Sequence, residues 1–300
     1  MYVILGATGN VGSVIANTLL AKGEKVRVVG RNASRLQPFV DSGAEPFLAE
    51  IHDSAALSKA LEGARAAFLL IPPDPSSPDY RAAQDEKTDA LASAVQASGL
   101  KYAVNLSSIS AQLAAGTGPI AGLHGAETKL NRIPPLHVLH LRPAYFMENE
   151  LPGIEVIKNF GIFGSALKPD LRIPMIATRD IGAYAAQRLL KLDFSGKSTQ
   201  ELLGAGDVTR TEVAAAIGGA IGKPELSYVQ FPYAQVEQAL EQKGISTKTA
   251  QLFIEMYRAF NEGLAAGEEP RSAANTTPTT IEQFAREVVA PAYRGRSASA

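Results

Sequence analysis

The sequence of 300 residues lacks cysteine and tryptophan, and its acidic and basic residues nearly balance. The missing cysteine excludes a disulfide, a thiolate nucleophile and a cysteine-ligated metal site. A formal net charge of −1 gives no reason to expect a nucleic acid or an anionic membrane as a partner. The sequence also lacks an apolar run long enough to cross a bilayer and the basic start of a signal peptide. We therefore expect a cytoplasmic protein, and its 46% of hydrophobic residues suffice for a sizeable core.

The first twelve residues contain the most informative motif of the chain. The apolar run 2–5 is rich in β-branched residues and predicts a buried strand. Gly6, Gly9 and Gly12 follow at intervals of three, and residues 13–22 carry apolar side chains at helical spacing. A strand, a glycine turn and a helix in this order are the context of a dinucleotide-binding fingerprint.

The chemistry of a pyrophosphate explains the glycines. The turn must be tight, the backbone must approach the phosphates closely, and the helix must pack on the strand without a side chain between them. The first amide groups of the helix then face the phosphates, whose charge the helix dipole favours. We predict that the turn binds a dinucleotide; a merely structural tight turn is the alternative.

Two arginines after the second predicted strand, residues 25–29, indicate which dinucleotide binds. In such folds the end of this strand lies beside the adenosine ribose, where an acidic residue would bind the 2′-hydroxyl and repel a 2′-phosphate. Arg31 stands there instead, and Arg35 lies four residues on and can share a helical face with it. The pattern favours NADP(H), with NAD(H) as the alternative. Two solvated arginines at a helix start are the plain structural interpretation.

Strands and helices alternate over the first 142 residues. Six short runs predict strands, at residues 2–5, 25–29, 44–50, 66–71, 102–106 and 137–141. Their alternation with helices predicts an α/β fold of the Rossmann type, with a doubly wound parallel sheet and right-handed crossovers. We expect an NAD(P)-binding domain over residues 1–148, a smaller mixed lobe that binds substrate over 149–293, and a flexible tail at 294–300.

Loops at the carboxyl ends of parallel strands line the ligand crevice. Ile71 and Pro72 end the fourth strand and are expected to border the cofactor. The loop at 111–122 consists largely of small residues, and we expect it to be mobile and to cover the site. Since no group of histidines and acidic residues has metal-ligand spacing, we predict no metal site.

Longer motifs carry a resemblance to a known family. They are GATGNVG at 6–12, SSIS at 107–110, HGAETKL at 124–130, LRPAYFMEN at 141–149, TRDIGAYAA at 178–186 and TPTTIEQFARE at 277–287. With these motifs and Arg31, the chain resembles the NmrA-like group of atypical short-chain dehydrogenases/reductases over nearly its whole length. The resemblance implies an NAD(P)-binding sheet with a small C-terminal lobe. Members include NADPH-dependent quinone reductases and azo-dye reductases, and others that bind the nucleotide and act as redox-responsive regulators.

The superfamily's catalytic pair, Tyr-x-x-x-Lys, is incomplete in this chain. The resemblance implies that Lys129 holds the nicotinamide ribose, but Gly125 stands where the tyrosine would be. His124 lies beside that position, and imidazole can supply a proton near neutral pH. On a helix its side chain points about 100° away from residue 125, so it does not simply replace the tyrosine. His124 is a catalytic candidate whose alternative is a polar surface or capping histidine.

Further candidates follow the fifth and sixth strands. The resemblance places the active-site serine at Ser107 or Ser108, and we assign Ser107 to the nicotinamide. Tyr145 and Asn149 lie at the mouth of the crevice. Tyr145 stacks on nicotinamide or substrate, donates a proton, or packs between sheet and lobe. Glu148 is expected to be solvated.

These residues predict an NAD(P)H-dependent oxidoreductase that prefers NADPH. The predicted catalytic residues are Lys129, Tyr145, Ser107 and His124. The predicted cofactor-binding residues are Gly6, Thr8, Gly9, Asn10, Val11, Gly12, Arg31, Arg35, Ile71, Pro72, Ser107, Lys129, Pro143, Tyr145 and Asn149.

The expected substrate is a small hydrophobic or aromatic acceptor of hydride. Quinones, azo compounds and other activated acceptors fit, because the anion formed on reduction is stabilised or protonated by solvent and needs no strong general acid. The alternative is a non-catalytic NADP(H)-binding redox sensor that acts through protein partners. The oligomeric state stays open, with a homodimer as one alternative.

Overall fold

A parallel sheet of seven strands lies at the centre of the computed structural model, which describes residues 1–295. The strands of the protein are, in chain order, β1 (Tyr2–Leu5), β2 (Val26–Gly30), β3 (Glu45–Leu48), β4 (Ala66–Leu70), β5 (Tyr102–Leu106), β6 (His137–Pro143), β7 (Tyr145–Phe146), β8 (Phe163–Ser165), β9 (Ile173–Ile176), β10 (Lys197–Leu202), β11 (Gly206–Val208) and β12 (Tyr228–Gln230). The central sheet has the order β10-β6-β5-β4-β1-β2-β3, and all neighbours are parallel. The predicted Rossmann-type sheet is confirmed.

Helices cover both faces of this sheet. In chain order they are α1 (Asn10–Ala21), α2 (Ala33–Asp41), α3 (Ser54–Leu61), α4 (Tyr80–Ser98), α5 (Ile120–Asn131), α6 (Gly153–Phe160), α7 (Thr178–Lys191), α8 (Arg210–Ile221), α9 (Tyr233–Gln242), α10 (Thr247–Asn261) and α11 (Ile281–Phe284), which continues through a π turn (Ala285–Val289) into α12 (Ala290–Tyr293). Apolar residues of α1, α2 and α7 are buried on one face, and those of α3, α4 and α5 on the other. Within residues 1–295, every helix is too short or too polar to cross a membrane.

The first strand shows why the central strands are apolar throughout. Tyr2 and Ile4 join the cluster that contains α1, whereas Val3 and Leu5 join the opposite cluster. Side chains of a strand alternate between the two faces, so this run contributes to both cores at once. Since β1 lies between β2 and β4, the glycine turn leaves the middle of the sheet at its carboxyl edge.

A separate apolar cluster belongs mostly to the C-terminal half of the chain. It contains residues of β8 and β9 and of α6, α8, α10 and α11. Two small sheets, β11-β9-β7 and β12-β8, form its strands. Ala111 from the segment after β5 and Ile120 at the start of α5 join the cluster, so the smaller lobe packs on the segment that connects β5 to α5.

The predicted boundary at residue 148 needs correction. β10 pairs with β6 and extends the central sheet, and α7 packs into the same cluster as α1. Gly182 of α7 permits a close approach, since a Cβ there would lie 2.6 Å from the Cβ of Val14. Residues 178–202 therefore belong with the sheet and not with the smaller lobe. Of the predicted tail, residues 296–300 lie outside the described residues.

Candidate functional site

The glycine turn joins β1 to α1 through a backbone that tolerates no side chain at two of its positions. Gly6 has a φ of +64°, and its carbonyl oxygen accepts a hydrogen bond from the Gly9 amide at 2.9 Å. A Cβ at Gly12 would lie 2.2 Å from the same carbonyl oxygen. Gly9 is the N-cap of α1, so among the described residues the first turn has no side-chain cap. A tight turn that presents free amides at a helix N-terminus fits a dinucleotide pyrophosphate.

The two arginines after β2 have different partners. Arg35 donates from Nη2 to the Thr8 carbonyl oxygen at 3.3 Å, which holds its guanidinium against the glycine turn. Arg31 is exposed, and its Nε lies 3.9 Å from Oε2 of Glu50, which follows β3. Both side chains therefore lie where the adenosine ribose is expected. Glu50 was not predicted, and its carboxylate is the group that a 2′-phosphate would have to displace from Arg31.

The end of β4 lies beside the glycine turn. A Cβ at Gly6 would approach Cδ2 of Leu70 to 2.6 Å, which shows how closely the two segments pack. Ile71 is buried after the strand, and Pro72 is half-buried. Lys87 of α4, which the sequence analysis did not single out, donates from Nζ to the Pro72 carbonyl oxygen at 3.5 Å. This contact fixes the loop after β4 at the edge of the crevice.

The two serines after β5 have different surroundings. Ser107 is buried, and its hydroxyl donates to Oε1 of Glu127 at 2.6 Å. Ser108 is only half-buried. Because the Ser107 hydroxyl already donates its hydrogen bond to the Glu127 carboxylate, it is poorly placed to donate to a substrate or cofactor. This bond disfavours Ser107 as the active-site serine and leaves Ser108 as the candidate after β5.

Glu127 connects Ser107 to a buried ion pair. Arg142 donates from Nη2 to Glu127 Oε2 at 2.7 Å and from Nε to Oε1 at 3.0 Å. Burial by itself would raise the pKa of the Glu127 carboxyl, but the bonds from Arg142 and Ser107 and the positive charge nearby lower it below its usual value. Arg142 also donates to Glu268 at 2.9 Å, and Glu201 accepts from the Glu268 amide at 2.9 Å. The network ties the ends of β5, β6 and β10 to the segment after α10.

Lys129 lies on the side of α5 that faces α4. Its ammonium is bonded to the carboxylate of Asp89 in α4. A Cβ at Gly125 would be nearest to Asp85, which also lies in α4. At about 100° per residue, Lys129 is about 200° around α5 from Glu127. The predicted role of Lys129 as a ligand of the nicotinamide ribose is corrected, since both positions of the Tyr-x-x-x-Lys pair face α4.

His124 lies on the face of α5 that carries Glu127. The two residues are three apart, which is a rotation of about 300°, so their side chains point only about 60° apart around the helix. Its Nδ1 lies 2.9 Å from the carbonyl oxygen of Ala111. A carbonyl oxygen only accepts hydrogen bonds, so Nδ1 carries a hydrogen. The ring is therefore hydrogen-bonded to the segment that follows β5, whereas Lys129 on the same helix is bonded to Asp89 of α4.

The loop at 111–122 packs against the C-terminal half of the chain. Ala111 and Thr117 are fully buried. A Cβ at Gly118 would lie 2.0 Å from the carbonyl oxygen of Leu252 in α10. The expectation of a mobile cover is corrected, because the small residues of this loop allow α10 to approach its backbone.

Tyr145 packs with the smaller lobe. Its ring meets Phe260 edge-on with 5.9 Å between ring centroids, and the Arg210 guanidinium lies 5.6 Å from its centre. Burial, and then the charge of Glu150, raise the pKa of the Tyr145 phenol well above its usual value. Of the predicted roles for Tyr145, packing between sheet and lobe is the one that these contacts support, and proton donation is disfavoured.

The residues that flank Tyr145 differ in exposure. Pro143 is buried at the end of β6, and Asn149 is exposed. Glu148 accepts hydrogen bonds from the Thr178 amide at 3.0 Å and from its hydroxyl at 2.5 Å. The expectation that Glu148 is solvated is wrong, because its carboxylate satisfies amide groups at the N-terminus of α7.

A buried histidine in β6 supports the sheet beneath the site. Nδ1 of His140 lies 3.0 Å from Nδ2 of Asn105, and its Nε2 lies 3.0 Å from Oδ1 of Asn131. An amide nitrogen donates and an amide oxygen accepts, so the ring is neutral with its hydrogen on Nε2. Burial lowers the pKa of His140 from 6.5 to about 4. Within residues 1–295, no three histidine or acidic side chains are arranged to hold a metal ion.

We expect His140 to make the protein less stable in mild acid. The unfolded chain takes up this proton near pH 6.5 and the folded chain only near pH 4, so the free energy of unfolding falls as the pH drops between these values. The full loss is about 3 kcal/mol, at about 1.4 kcal/mol for each unit of pKa difference. His140→Gln keeps one acceptor and one donor but does not titrate, so it should flatten the pH dependence.

Urea unfolding at several pH values between 4 and 7.5 measures this effect. His52→Gln, at an exposed position, is the matched control and should keep the wild-type slope. An unchanged slope in His140→Gln would contradict the assignment.

Comparison with known proteins shows the family of the chain. The profile of the NAD(P)H-binding family matches residues 6–165, which include the glycine turn and the strands β2 to β8. An NAD(P)H azoreductase from Xenophilus azovorans is 26% identical over 259 residues, which cover 86% of each chain.

Two solved structures share the fold. An NADPH-dependent quinone oxidoreductase from Escherichia coli, in complex with NADPH, has a TM-score of 0.79 at 23% identity and covers 95% of this chain and 98% of its own. NmrA, a negative transcriptional regulator in complex with NADP, has a TM-score of 0.72 at 16% identity and covers 98% and 97%. The predicted NAD(P)H cofactor and the NmrA-like resemblance are confirmed. The chain belongs to the NAD(P)H-binding family.

Proposed function

We propose that the protein is an NADPH-dependent reductase that transfers hydride to a quinone, an azo compound or another activated aromatic acceptor. The observation that carries the proposal is the uncapped glycine turn after β1, together with the segment after β5 that contains Ser108 and binds His124 through the Ala111 carbonyl oxygen. In the sheet, β4 alone separates β1 from β5. The glycine turn and the segment after β5 are therefore about 10 Å apart along the sheet edge. A dinucleotide can bridge that span.

The residues of the crevice are suited to hold NADPH. The amides at the start of α1 would bind the pyrophosphate, and Arg31 and Arg35 would bind the 2′-phosphate. When bound, NADPH supplies the hydride. Ser108 would border the reacting end of the cofactor, and Pro72 would border it from β4.

The lack of a tyrosine and lysine pair in the crevice supports the acceptor class. The residues in the positions of the tyrosine and lysine pair, Gly125 and Lys129, face α4. Acceptors whose reduced anion is delocalised need the least help from a strong acid, and quinones and azo compounds are of this kind. The azoreductase and the quinone oxidoreductase to which this chain is similar are named for such substrates.

A panel of quinones, azo dyes and enones, assayed by oxidation of NADPH, tests this function. Turnover of at least one acceptor class is expected. Tight binding of NADP(H), measured by calorimetry, with no turnover of any acceptor would support the redox sensor instead. No binding of either nucleotide would contradict both.

The cofactor preference gives a sharper prediction. In Arg31→Glu the 2′-phosphate loses a charge-assisted partner and meets a like charge, so we expect NADPH to bind about tenfold to a hundredfold more weakly. NADH lacks that phosphate and should lose far less. Calorimetric titration of both nucleotides gives the two ratios.

Arg132→Glu makes the same change of charge at an exposed position after α5 and serves as the control. Equal losses for NADPH and NADH in Arg31→Glu would contradict the assignment of the 2′-phosphate to Arg31.

A further inference from the structure

Resting on the proposed function, we infer that His124 is the residue that protonates the acceptor after it has received hydride. In the Tyr-x-x-x-Lys pair the tyrosine donates the proton, and Gly125 stands at its position in this chain. Another group must therefore donate the proton. His124 lies on the crevice-facing side of α5, one helical turn from Glu127, and its ring is fixed against the segment that follows Ser108.

The other candidate proton donors have contacts or pKa values that disfavour this role. Lys129 is bonded to Asp89 on the far side of α5. Ser107 donates its proton to Glu127, and the pKa of Glu127 is lowered, so this carboxylate has no proton to give. Burial raises the pKa of Tyr145, which makes it a poor acid. These contacts leave the imidazole of His124, bonded to the Ala111 carbonyl oxygen, as the remaining proton donor among the predicted catalytic residues.

The carbonyl oxygen of Ala111 prepares His124 for this role in two ways. Its bond to Nδ1, at 2.9 Å, orients the ring and directs Nε2 away from the backbone. It also stabilises the imidazolium, whose Nδ1–H is a stronger donor than that of the neutral ring. A hydrogen bond of this kind, made by the second ring nitrogen, is the usual way in which proteins select the protonated position of a histidine.

A strained residue holds that carbonyl in place. Ser110 has a φ of +68°, in the left-handed region that residues with a side chain rarely adopt. Its hydroxyl donates to the Ala266 carbonyl oxygen at 3.2 Å, and the Ala111 amide donates to the Ser108 carbonyl oxygen at 3.1 Å. Strain that is stabilised by surrounding contacts is typical of functional sites. The turn from Ser108 to Ala111 therefore brings the serine and the anchor of His124 into one rigid unit.

The proposed step balances in atoms and charge. Bound NADPH would supply a hydride with its two electrons, and the acceptor would then carry a negative charge on oxygen or nitrogen. The Nε2–H bond of the imidazolium breaks, its electron pair stays on Nε2, and the proton joins the acceptor anion. His124 is left with its hydrogen on Nδ1, which is the form that Ala111 binds, and solvent returns the proton.

Substituted benzoquinones that differ in the acidity of their hydroquinones test the inference. His124→Asn keeps an N–H donor near the position of Nδ1 and cannot supply the proton. We expect the ratio of wild-type to variant kcat to be close to unity for the most acidic hydroquinone and to rise to about 100-fold for the least acidic. A ratio that is constant across the series would indicate a structural role and overturn the inference.

Proton uptake provides a readout that needs no turnover. A halogenated phenolate mimics the reduced anion, and its binding to the protein with NADP⁺ can be followed by calorimetry in buffers of different ionisation enthalpy. At a pH where the free ring is neutral, the wild type should take up a proton as the phenolate binds, and His124→Asn should take up none at any pH between about 6 and 8. Equal uptake in both would overturn the inference even if the proposed reductase activity were found, and unequal uptake would support it even if that activity were not.

Two further variants keep the result interpretable. His52→Asn changes an exposed histidine and should match the wild type in both experiments. His124→Gln replaces His124→Asn if the latter does not fold, since its longer amide reaches the position of Nε2.

Discussion

Replacement of Glu150 by alanine is expected to lower the free energy of unfolding by about 3–5 kcal/mol, the usual loss when one partner of a buried ion pair is removed. The Glu150 side chain is 5% exposed and that of Arg210 is 0% exposed, with 2.6 Å between Oε2 and Nη2. The rings of Tyr145, Phe163 and Tyr228 lie 5.6–5.9 Å from the guanidinium carbon. These rings attract a cation, but they do not replace a carboxylate as its counter-ion. Without Glu150 the charge of Arg210 would stay buried and uncompensated.

Urea unfolding at neutral pH measures the loss in Glu150→Ala. Glu155→Ala is the matched control, because Glu155 pairs with Lys158 at 3.5 Å on the surface and its loss should cost less than about 1 kcal/mol. Replacing both partners, by Glu150→Leu with Arg210→Met, should recover most of the stability, since an apolar pair needs no desolvation of charge. A loss in Glu150→Ala as small as that of the control would contradict this account of the lobe.

The parts of the fold that the sequence predicted are those decided by local pattern. The run Tyr2–Leu5 and the three glycines after it specify a strand, a turn and a helix within a short stretch of chain. Each glycine has a reason in its own surroundings, such as the Gly6 carbonyl oxygen that leaves no room for a Cβ at Gly12. The position of Arg31 after β2 follows from the same local pattern.

The face of α5 that turns inward with Glu127 was not predicted, because the phase of a helix depends on what it packs against. The family pair at positions 125 and 129 directed attention to Lys129, whose side chain faces α4. A signal was present in the periodicity: Ile120, Leu123, Glu127 and Leu130 recur at helical spacing and mark the side that turns inward. A carboxylate in such an apolar stripe requires a buried partner, and the structure provides it in Arg142.

Contacts between distant parts of the chain account for the remaining differences. β10 joins β6 from beyond residue 195, and Glu148 caps α7 through Thr178. The segment after α10 reaches back to Ser110 through the Ala266 carbonyl oxygen. None of these partners lies within a few residues of the other, so no local pattern in the sequence could pair them. The site at the end of β5 is therefore positioned largely by the C-terminal half of the chain.

The second large effect is expected at the glycine turn. In Gly12→Ala the new Cβ would lie 2.2 Å from the Gly6 carbonyl oxygen, 2.7 Å from its carbonyl carbon and 3.0 Å from the Ala7 Cα. All three are backbone atoms, so no side-chain rotation can relieve the overlap. The turn must open, and α1 must move away from β1, which displaces the amides that would bind the pyrophosphate. Overpacking of this kind costs about 1–3 kcal/mol, and a loss of about 3 kcal/mol in binding corresponds to a Kd raised about 100-fold.

Calorimetric titration with NADPH measures this Kd, and thermal unfolding with and without NADPH confirms it, because a nucleotide that binds the folded state raises Tm. Gly219→Ala is the matched control: this glycine lies within α8, a Cβ there meets nothing within 4 Å, and the helix should gain about 0.5–1 kcal/mol. Gly219→Ala should therefore bind NADPH like the wild type, whereas Gly12→Ala should fold with little or no rise of Tm on adding NADPH. If Gly12→Ala kept the wild-type Kd, the pyrophosphate would have to bind away from the start of α1, since the overlap with Gly6 cannot leave that backbone unchanged.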